Sequence, residues 1–525
     1  MKRTHFVLSA ALWVLGLLAY AQTEPNSSYS QLAQDIFLSG KDSLIYKNIH
    51  FLNDLPENGA ETFTSTYTNG GAPETIYGGF LNYLKTKGAQ KDKEGMYRAK
   101  RKIIQFVNCT FDNDIRFSNV YFEGAVFFEN CNFPTVSEDF VGLYGQKFGG
   151  AILVDSCVVQ DFQVLFRENT DYRFFLKFNH TKLNNLFFIE LQKSTSQILN
   201  SDFSTGNTYI QLHKESEFQV EGCKFGEIFW DLDHIYSTHI IGCSFTGGKE
   251  EFNVLNLFSD YATLFRNQFN SNAYIQFEKG FVFLDSNSFL KNLAFDFNGL
   301  DKTSYINWTS LNNLEFGIIH NKYFYDASTK DQIKDDLGYK TLLRVHKGLY
   351  DFYKTVGDFE SANKVYVKIR EIEHRKLADQ YVLNPSFKTF FDFNLNRLLK
   401  YYTNYGTDPA NALVVSFYII LIFGFIYFFF PSDWDLSSKS QLIINFKNFI
   451  SKNDKGYFFP FLTMLFGFII SVANATALSL NAFTTLGFGN IPTKGVARYI
   501  CIIQGFIGWF LLSIFTVALI NQAQF

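Results

Sequence analysis

The run Thr484-Thr485-Leu486-Gly487-Phe488-Gly489-Asn490 carries no charge, yet it is the segment best equipped for chemistry. It sits inside an uncharged stretch over residues 457–493. Gly487 and Gly489 permit backbone conformations that a Cβ resists. Irregular backbone at membrane depth survives only where it lines a cavity. Side-chain chemistry elsewhere is sparse. Asp231, Asp233 and His234 form the densest acid/base group, but their spacing marks neither a metal site nor a paired-acid site. Solvated loop charges are the simpler reading of them. The 9 histidines are scattered, with no HExxH and no Cys/His metal spacing.

The run resembles the selectivity filter of potassium channels. There Thr-x-Gly-Tyr/Phe-Gly supplies backbone carbonyls in successive rings that replace the water shell of the ion. The resemblance implies transient K+ at the carbonyls of Thr485, Leu486, Gly487 and Phe488. Thr485 would add a hydroxyl ring at the inner end, and Phe488 would pack outward. Residues 475–484 then fit a short pore helix with its negative end toward the cavity. Gly505 and Gly508 lie where related channels carry a gating hinge. One loop per chain cannot enclose an ion, so a homotetramer is implied. The resemblance covers residues 457–520 and implies no enzyme activity, no bound metal and no cofactor beyond the permeant K+. Three positions depart from the commoner pattern: Leu486 for Val, Phe488 for Tyr and Asn490 for Asp. A Gly-rich membrane loop without a pore is the alternative.

Apolar segments must position this loop. Residues 412–430 are uncharged and long enough for a span. Pro431 and Trp434 close it, the latter as an interface anchor. A polar loop with Lys439, Lys447, Lys452 and Lys455 follows. The 457–493 stretch is too long for one helix, so a span over 457–473 and a pore loop over 475–491 are expected. Residues 499–520 form a further span, giving a membrane domain over 405–525.

The N-terminus has the pattern of an export signal over residues 1–21. Lys2 and Arg3 precede an apolar core over 6–18, and Ala19-Tyr20-Ala21 offers a cleavage site before Gln22. An uncleaved anchor is the alternative. Either form exports the following domain. In the pore family the filter loop enters from outside, so the helix before it starts in the cytoplasm. Span 412–430 would then supply the extra crossing, and the Lys-rich loop would fall inside. The expected site is the bacterial inner membrane, multi-pass, with the large N-terminal domain extracytoplasmic. Lys388, Arg397 and Lys400 oppose this. The runner-up keeps that domain and the C-terminus in the cytoplasm.

Between these ends the repeat is the main signal. Phe106-x-x-Cys109-x-Phe111 recurs as Phe128-x-x-Cys131-x-Phe133 and Val154-x-x-Cys157-x-Val159. It continues through Phe178/Thr181/Leu183, Ile198/Ser201/Phe203, Val220/Cys223/Phe225, Ile240/Cys243/Phe245, Leu264/Asn267/Phe269, Leu284/Asn287/Phe289 and Ile306/Thr309/Leu311. The small residues are 20 to 26 apart, the signature of a solenoid coil. Phe106, Phe111, Phe117, Phe122, Phe128 and Phe133 subdivide it at five or six residues. This resembles a degenerate pentapeptide-repeat β-helix with four units per turn. Tyr46-x-x-Ile49-x-Phe51 fits an earlier coil, with an insertion over 53–102. An antiparallel sandwich would not explain the constant step. Five cysteines share one phase; parallel Cβ vectors suit disulfides poorly, so small buried thiols are expected.

From residue 328 to 404 the period becomes helical. Leu342, Val345, Leu349 and Phe352 make one stripe; Phe359, Ala362, Tyr366 and Ile369 make a second after Gly357-Asp358. The pair resembles one tetratricopeptide-like hairpin, suited to capping the solenoid. After Pro385, residues 387–402 suit a helix in the membrane interface, or an ordinary packed one.

The expected architecture is therefore multidomain: a right-handed β-helix over 22–327, a helical linker over 328–404 and an α-helical membrane pore domain. Composition agrees. The 525 residues include 63 Phe and 29 Tyr, and the net charge of −3 gives no field for nucleic acid. Partners are membrane lipid, further copies of the chain and an unknown ligand of the β-helix. Two readings from other classes remain beside the channel: a membrane-anchored adhesion or ligand-binding rod with a non-conducting pore-like domain, and a β-helix carbohydrate enzyme.

Overall fold

A computed structural model describes residues 26–52, most of 97–165, then 173–247, 252–317, 332–430, 458–484 and 495–523, with short pieces elsewhere. The chain divides into two compact units, Met1–Gly348 and Leu349–Phe525. The export signal, most of the 53–102 insertion and most of the Lys-rich loop lie outside the described residues.

The first unit is a parallel β-solenoid of about ten turns over residues 26–314. Its register is the repeat read from the sequence. Tyr46 pairs with Phe106, Phe106 with Phe128, and Phe128 with Val154. The same column runs through Phe178, Ile198, Val220, Ile240, Leu264 and Leu284 to Ile306. A second, shorter ladder pairs Phe203 with Phe225 and carries on through Phe245, Phe269 and Phe289. A third aligns Ile189, Ile210, Trp230, Leu255, Ile275 and Phe295. Rings stack from coil to coil at one phase: Phe245 and Phe269 lie 4.5 Å apart at 9°. Such pairs add about 0.5–1.5 kcal/mol to simple burial.

Each coil has three paired segments of unequal length, where the Phe spacing predicts four equal units. The reason is where the backbone can turn. Positive φ occurs at Asn108, Asn130, Ser156, His180, Asn200, Gly222, Gly242, Arg266 and Ser286, each just before the small position. A second set of corners uses Lys193, Glu215 and His234. Between corners the alternation Thr208-Tyr209-Ile210-Gln211-Leu212 simply continues as strand.

The small position has a specific task. The backbone N–H of one coil's corner donates to the side chain of the next. Thr181 N donates to Ser201 Oγ at 3.1 Å, Cys243 N to Asn267 Oδ1 at 2.9 Å, and Asn267 N to Asn287 Oδ1 at 3.0 Å. Cys131 N and Ser201 N donate to Cys157 Sγ and Cys223 Sγ at 3.3 and 3.4 Å. The site therefore takes short side chains that carry an acceptor, which unites Cys, Ser, Thr and Asn. The ladder cysteines are buried free thiols. One assignment needs correction. In the last coil Ser310, and not Thr309, receives the Asn287 N–H at 3.2 Å. A 3-10 turn over Trp308–Leu311 shifts the corner by one residue, and Thr309 turns outward to Asn307.

Both ends of the solenoid are covered. Helix α1 (Tyr29–Phe37) buries Tyr29, Leu32, Ala33 and Ile36 and stacks Tyr29 on Phe51. At the other end, the first part of α2 (Asp336–Val356) meets the last coils. Arg344 pairs with Asp296 at 3.0 Å, and Trp308 packs edge-on to His346. Such covers blunt a sheet edge that would otherwise template pairing.

The second unit begins with a helical hairpin. Gly357, at φ +80°, ends α2, and Asp358 caps α3 (Phe359–Leu383) through Ser361 N. The buried stripe of α3 is Ala362, Val365, Ile369 and Ile372. The expected stripe placed Phe359 and Tyr366 inside; Phe359 is exposed, and Tyr366 is half-buried under Arg370. Helix α4 (Phe387–Thr403) returns along α3. Three further helices are long and apolar enough to cross a membrane: α5 (Pro409–Phe428), α6 (Phe458–Thr484) and α7 (Val496–Ala523).

The ladder predicts two outcomes. Phe225→Ala, which removes a ring buried against Phe245 and Trp230, should cost about 3–5 kcal/mol of unfolding free energy in denaturant titration. The five ladder cysteines should react with a thiol reagent only once the protein is unfolded.

Candidate functional site

Three helices frame the filter-like segment. Asp408 caps α5 by accepting from Asn411 N at 3.0 Å, and Pro409 fits the first helical position. Ala412, Ser416, Ile420, Gly424 and Tyr427 form its buried seam. Small residues let helix backbones approach where no water drives association. A Cβ on Gly424 would stand 3.3 Å from Thr476 Cα. A Cβ on Gly508 would clash with the carbonyl oxygen of Phe483.

Contacts fix the helix directions. Phe428 meets Phe468, Gly424 meets Thr476, and Ser479 donates to Ile420 O at 2.7 Å. So α5 and α6 are antiparallel. Gln504 meets Ser479, and Gly508 meets Phe483. So α6 and α7 are parallel. On that alignment Thr484 and Val496 stand about thirteen helical residues apart in height, roughly 20 Å at the helical rise. Residues 485–494, which lie outside the described residues, connect them.

This arrangement corrects one sequence expectation. Residues 458–484 form a single helix of 27 residues, where the sequence suggests a span over 457–473 followed by a separate short pore helix over 475–484. No Pro or Gly falls between Ser471 and Thr484 to break the helix. The helix that opposes the loop-bearing end is therefore α5.

Of the expected filter residues, Thr484 is described. It closes α6 and donates to Leu480 O at 2.8 Å. Thr485, Leu486, Gly487, Phe488, Gly489 and Asn490 lie outside the described residues. Gly505 and Gly508 lie within unbroken α7. Gly508 is a close-approach point against α6.

A polar cluster that sequence reading passed over joins all three helices. Gln504 Oε1 accepts from Tyr427 Oη at 2.8 Å. Gln504 Nε2 bonds Ser479 O at 3.0 Å and Ser479 Oγ at 2.7 Å. Gln504 and Ser479 are 0 % exposed and Tyr427 is 2 % exposed. The signal was present: Gln504 is the one amide side chain in the 499–520 stretch, and polar groups in spans face a protein interior.

The acid/base group lies at a solenoid corner, where His234 has positive φ and is exposed. Asp231 and Asp233 lie in strand Lys224–Ile241. His234 Nδ1 lies 2.5 Å from Asp233 Oδ1, and His213 stands 3.9 Å from Asp233 and 3.8 Å from Glu190. Burial raises the Asp231 pKa and Asp233 adds to that rise, while the Asn256 amide and His213 oppose it. Among the described residues no three His, Cys, Asp or Glu side chains are placed to hold a metal ion.

No family model matches the chain, and no curated protein or solved structure is significantly similar to it.

Removing the Gln504 amide tests the three-helix cluster. Gln504→Leu removes the acceptor of Tyr427 Oη and the donor to Ser479 O and Oγ, at about 1–3 kcal/mol for a buried group left unmatched. Its thermal midpoint in detergent should fall, and Tyr427→Phe should fall less. Gly508→Val should fail to assemble, because its side chain meets Phe483 backbone.

Proposed function

We propose that the chain is the subunit of a cation channel selective for K+, with ions conducted past the carbonyls of residues 485–488. One observation supports this most strongly. The helices before and after the filter-like segment are parallel, and on their alignment Val496 stands back toward the side from which α6 descends. A segment that descends as a helix and returns beside it is what a re-entrant pore loop requires. The sequence at the turn is Thr-Leu-Gly-Phe-Gly. In this reading α5 is the outer helix, the end of α6 is the pore helix and α7 is the inner helix. Four chains are needed to close a ring of carbonyls around an ion.

The reading stands or falls on K+ flux from liposomes. Purified full-length protein should release K+, and Gly487→Ala should abolish the release while membrane insertion is unchanged. Flux equal to the parent's in Gly487→Ala would remove the filter assignment. Full insertion with no parental flux would favour the non-conducting adhesion or ligand-binding rod.

Helix directions also bear on sidedness. The N-terminal end of α5 and the C-terminal end of α7 belong to the same face of the bundle, opposite the 429–457 connection. A filter loop that opens outward then favours the solenoid and the C-terminus both in the cytoplasm. The Lys2–Ala21 pattern favours export of the solenoid, and is the specific observation behind that second reading. Epitope tags in the 53–102 insertion and after Phe525 should label from one and the same side in intact spheroplasts. Labelling from opposite sides would contradict the three-helix arrangement.

A further inference from the structure

We infer that α4 lies in the bilayer interface, with its open aromatic stripe among lipid chains and its cations at anionic phospholipid headgroups. The inference rests on the membrane character of α5 and is independent of whether the loop conducts.

One side of α4 is already occupied. Phe393 stacks on His374 at 4.8 Å and on Tyr381 at 6.0 Å, and Lys400 Nζ meets Glu371 at 2.8 Å. The other side is open. Phe387 is 84 % exposed, Phe391 53 % and Tyr401 63 %, with Phe390 and Leu398 beside them. These positions recur at helical spacing, so they form one stripe and not scattered exposures. Leaving such rings in water forgoes the stabilisation that burial gives each large apolar side chain.

The occupant follows from continuity. The stripe ends at Tyr401, beside the first turn of α5, where Asn411 Nδ2 donates to Tyr401 O at 2.8 Å. Tyr402 Oη bonds Ser416 Oγ at 2.9 Å, two turns inside α5. The far end of α4 is thereby tied at the depth where the first span enters the bilayer. Leu413, Val414 and Phe417, in the first turns of α5, are exposed as well. Lys388 and Arg397 are both exposed on α4. Arg397 lies over the Tyr401 ring at 5.8 Å, an aromatic stem with a cationic tip. Such cations are attracted to an anionic lipid surface. An apolar stripe with flanking cations is the make-up of a helix that lies in the interface.

The test uses full-length protein carrying a nitroxide at Phe387→Cys or Phe391→Cys, in phosphatidylcholine vesicles with or without phosphatidylglycerol. Collision with oxygen should exceed collision with a water-soluble nickel chelate at both sites. Dominant nickel collision would put the stripe in water. Suppression of both would put it under protein, as for a second copy of the chain. Either result overturns the inference. Lys388→Gln with Arg397→Gln should shift both labels toward the aqueous phase only where phosphatidylglycerol is present. An unchanged depth there would overturn the headgroup contact.

Discussion

The amide of Gln504 is buried among three apolar helices, and it has no water to turn to. It can be satisfied only if Tyr427, Ser479 and the Ser479 carbonyl arrive together. Single interhelical hydrogen bonds in a membrane are worth about 1 kcal/mol, but an unmatched buried group costs about 1–3 kcal/mol. The penalty for misalignment therefore exceeds the gain from any one bond. One register satisfies every member of the cluster, and in it α7 runs parallel to α6. The zero-gap contact between Gly508 and Phe483 gives the same register by sterics. The difference in height between Thr484 and Val496 follows from this alignment.

The solenoid solves an equivalent problem with different materials. Each turn of a β-helix leaves corner N–H groups facing inward, and each must be paired. Here the next coil supplies the acceptor from a single short side chain. That arrangement ties neighbouring coils through side chains as well as through the ladder. Because both tasks repeat every coil, the residue choice repeats too. The first unit thus has its own continuous core.

Legibility in the sequence followed how many constraints each position carries. The column Phe106, Phe128, Val154, Phe178 was readable because burial, alternation and period all demand an apolar residue there. Thr309 was misassigned because period alone cannot register a 3-10 turn that moves the corner to Ser310. The four-unit subdivision failed because equal Phe spacing does not say where φ becomes positive. Continuity of α6 was missed for a different reason: an uncharged stretch has no polar face, so its composition is blind to direction. Gln504 would have helped, since an amide in a span implies a partner, but its partners are far away in sequence. The open stripe on α4 was visible as aromatics, and only the packing of Phe393 against His374 separates the occupied side from the free one.

The parallel alignment of α6 and α7 is most directly tested by intramolecular cross-linking in the membrane. Phe483 and Leu511 belong to one buried cluster with Ala412 and Ile420. In a simple antiparallel hairpin Leu511 would lie beside residue 469 instead, roughly 20 Å from Phe483. With Cys501 replaced by Ser, the pair Phe483→Cys and Leu511→Cys should form a disulfide within one chain on mild oxidation, and Ile469→Cys with Leu511→Cys should not. Cross-linking of the second pair and not the first would contradict the bundle and, with it, the returning loop.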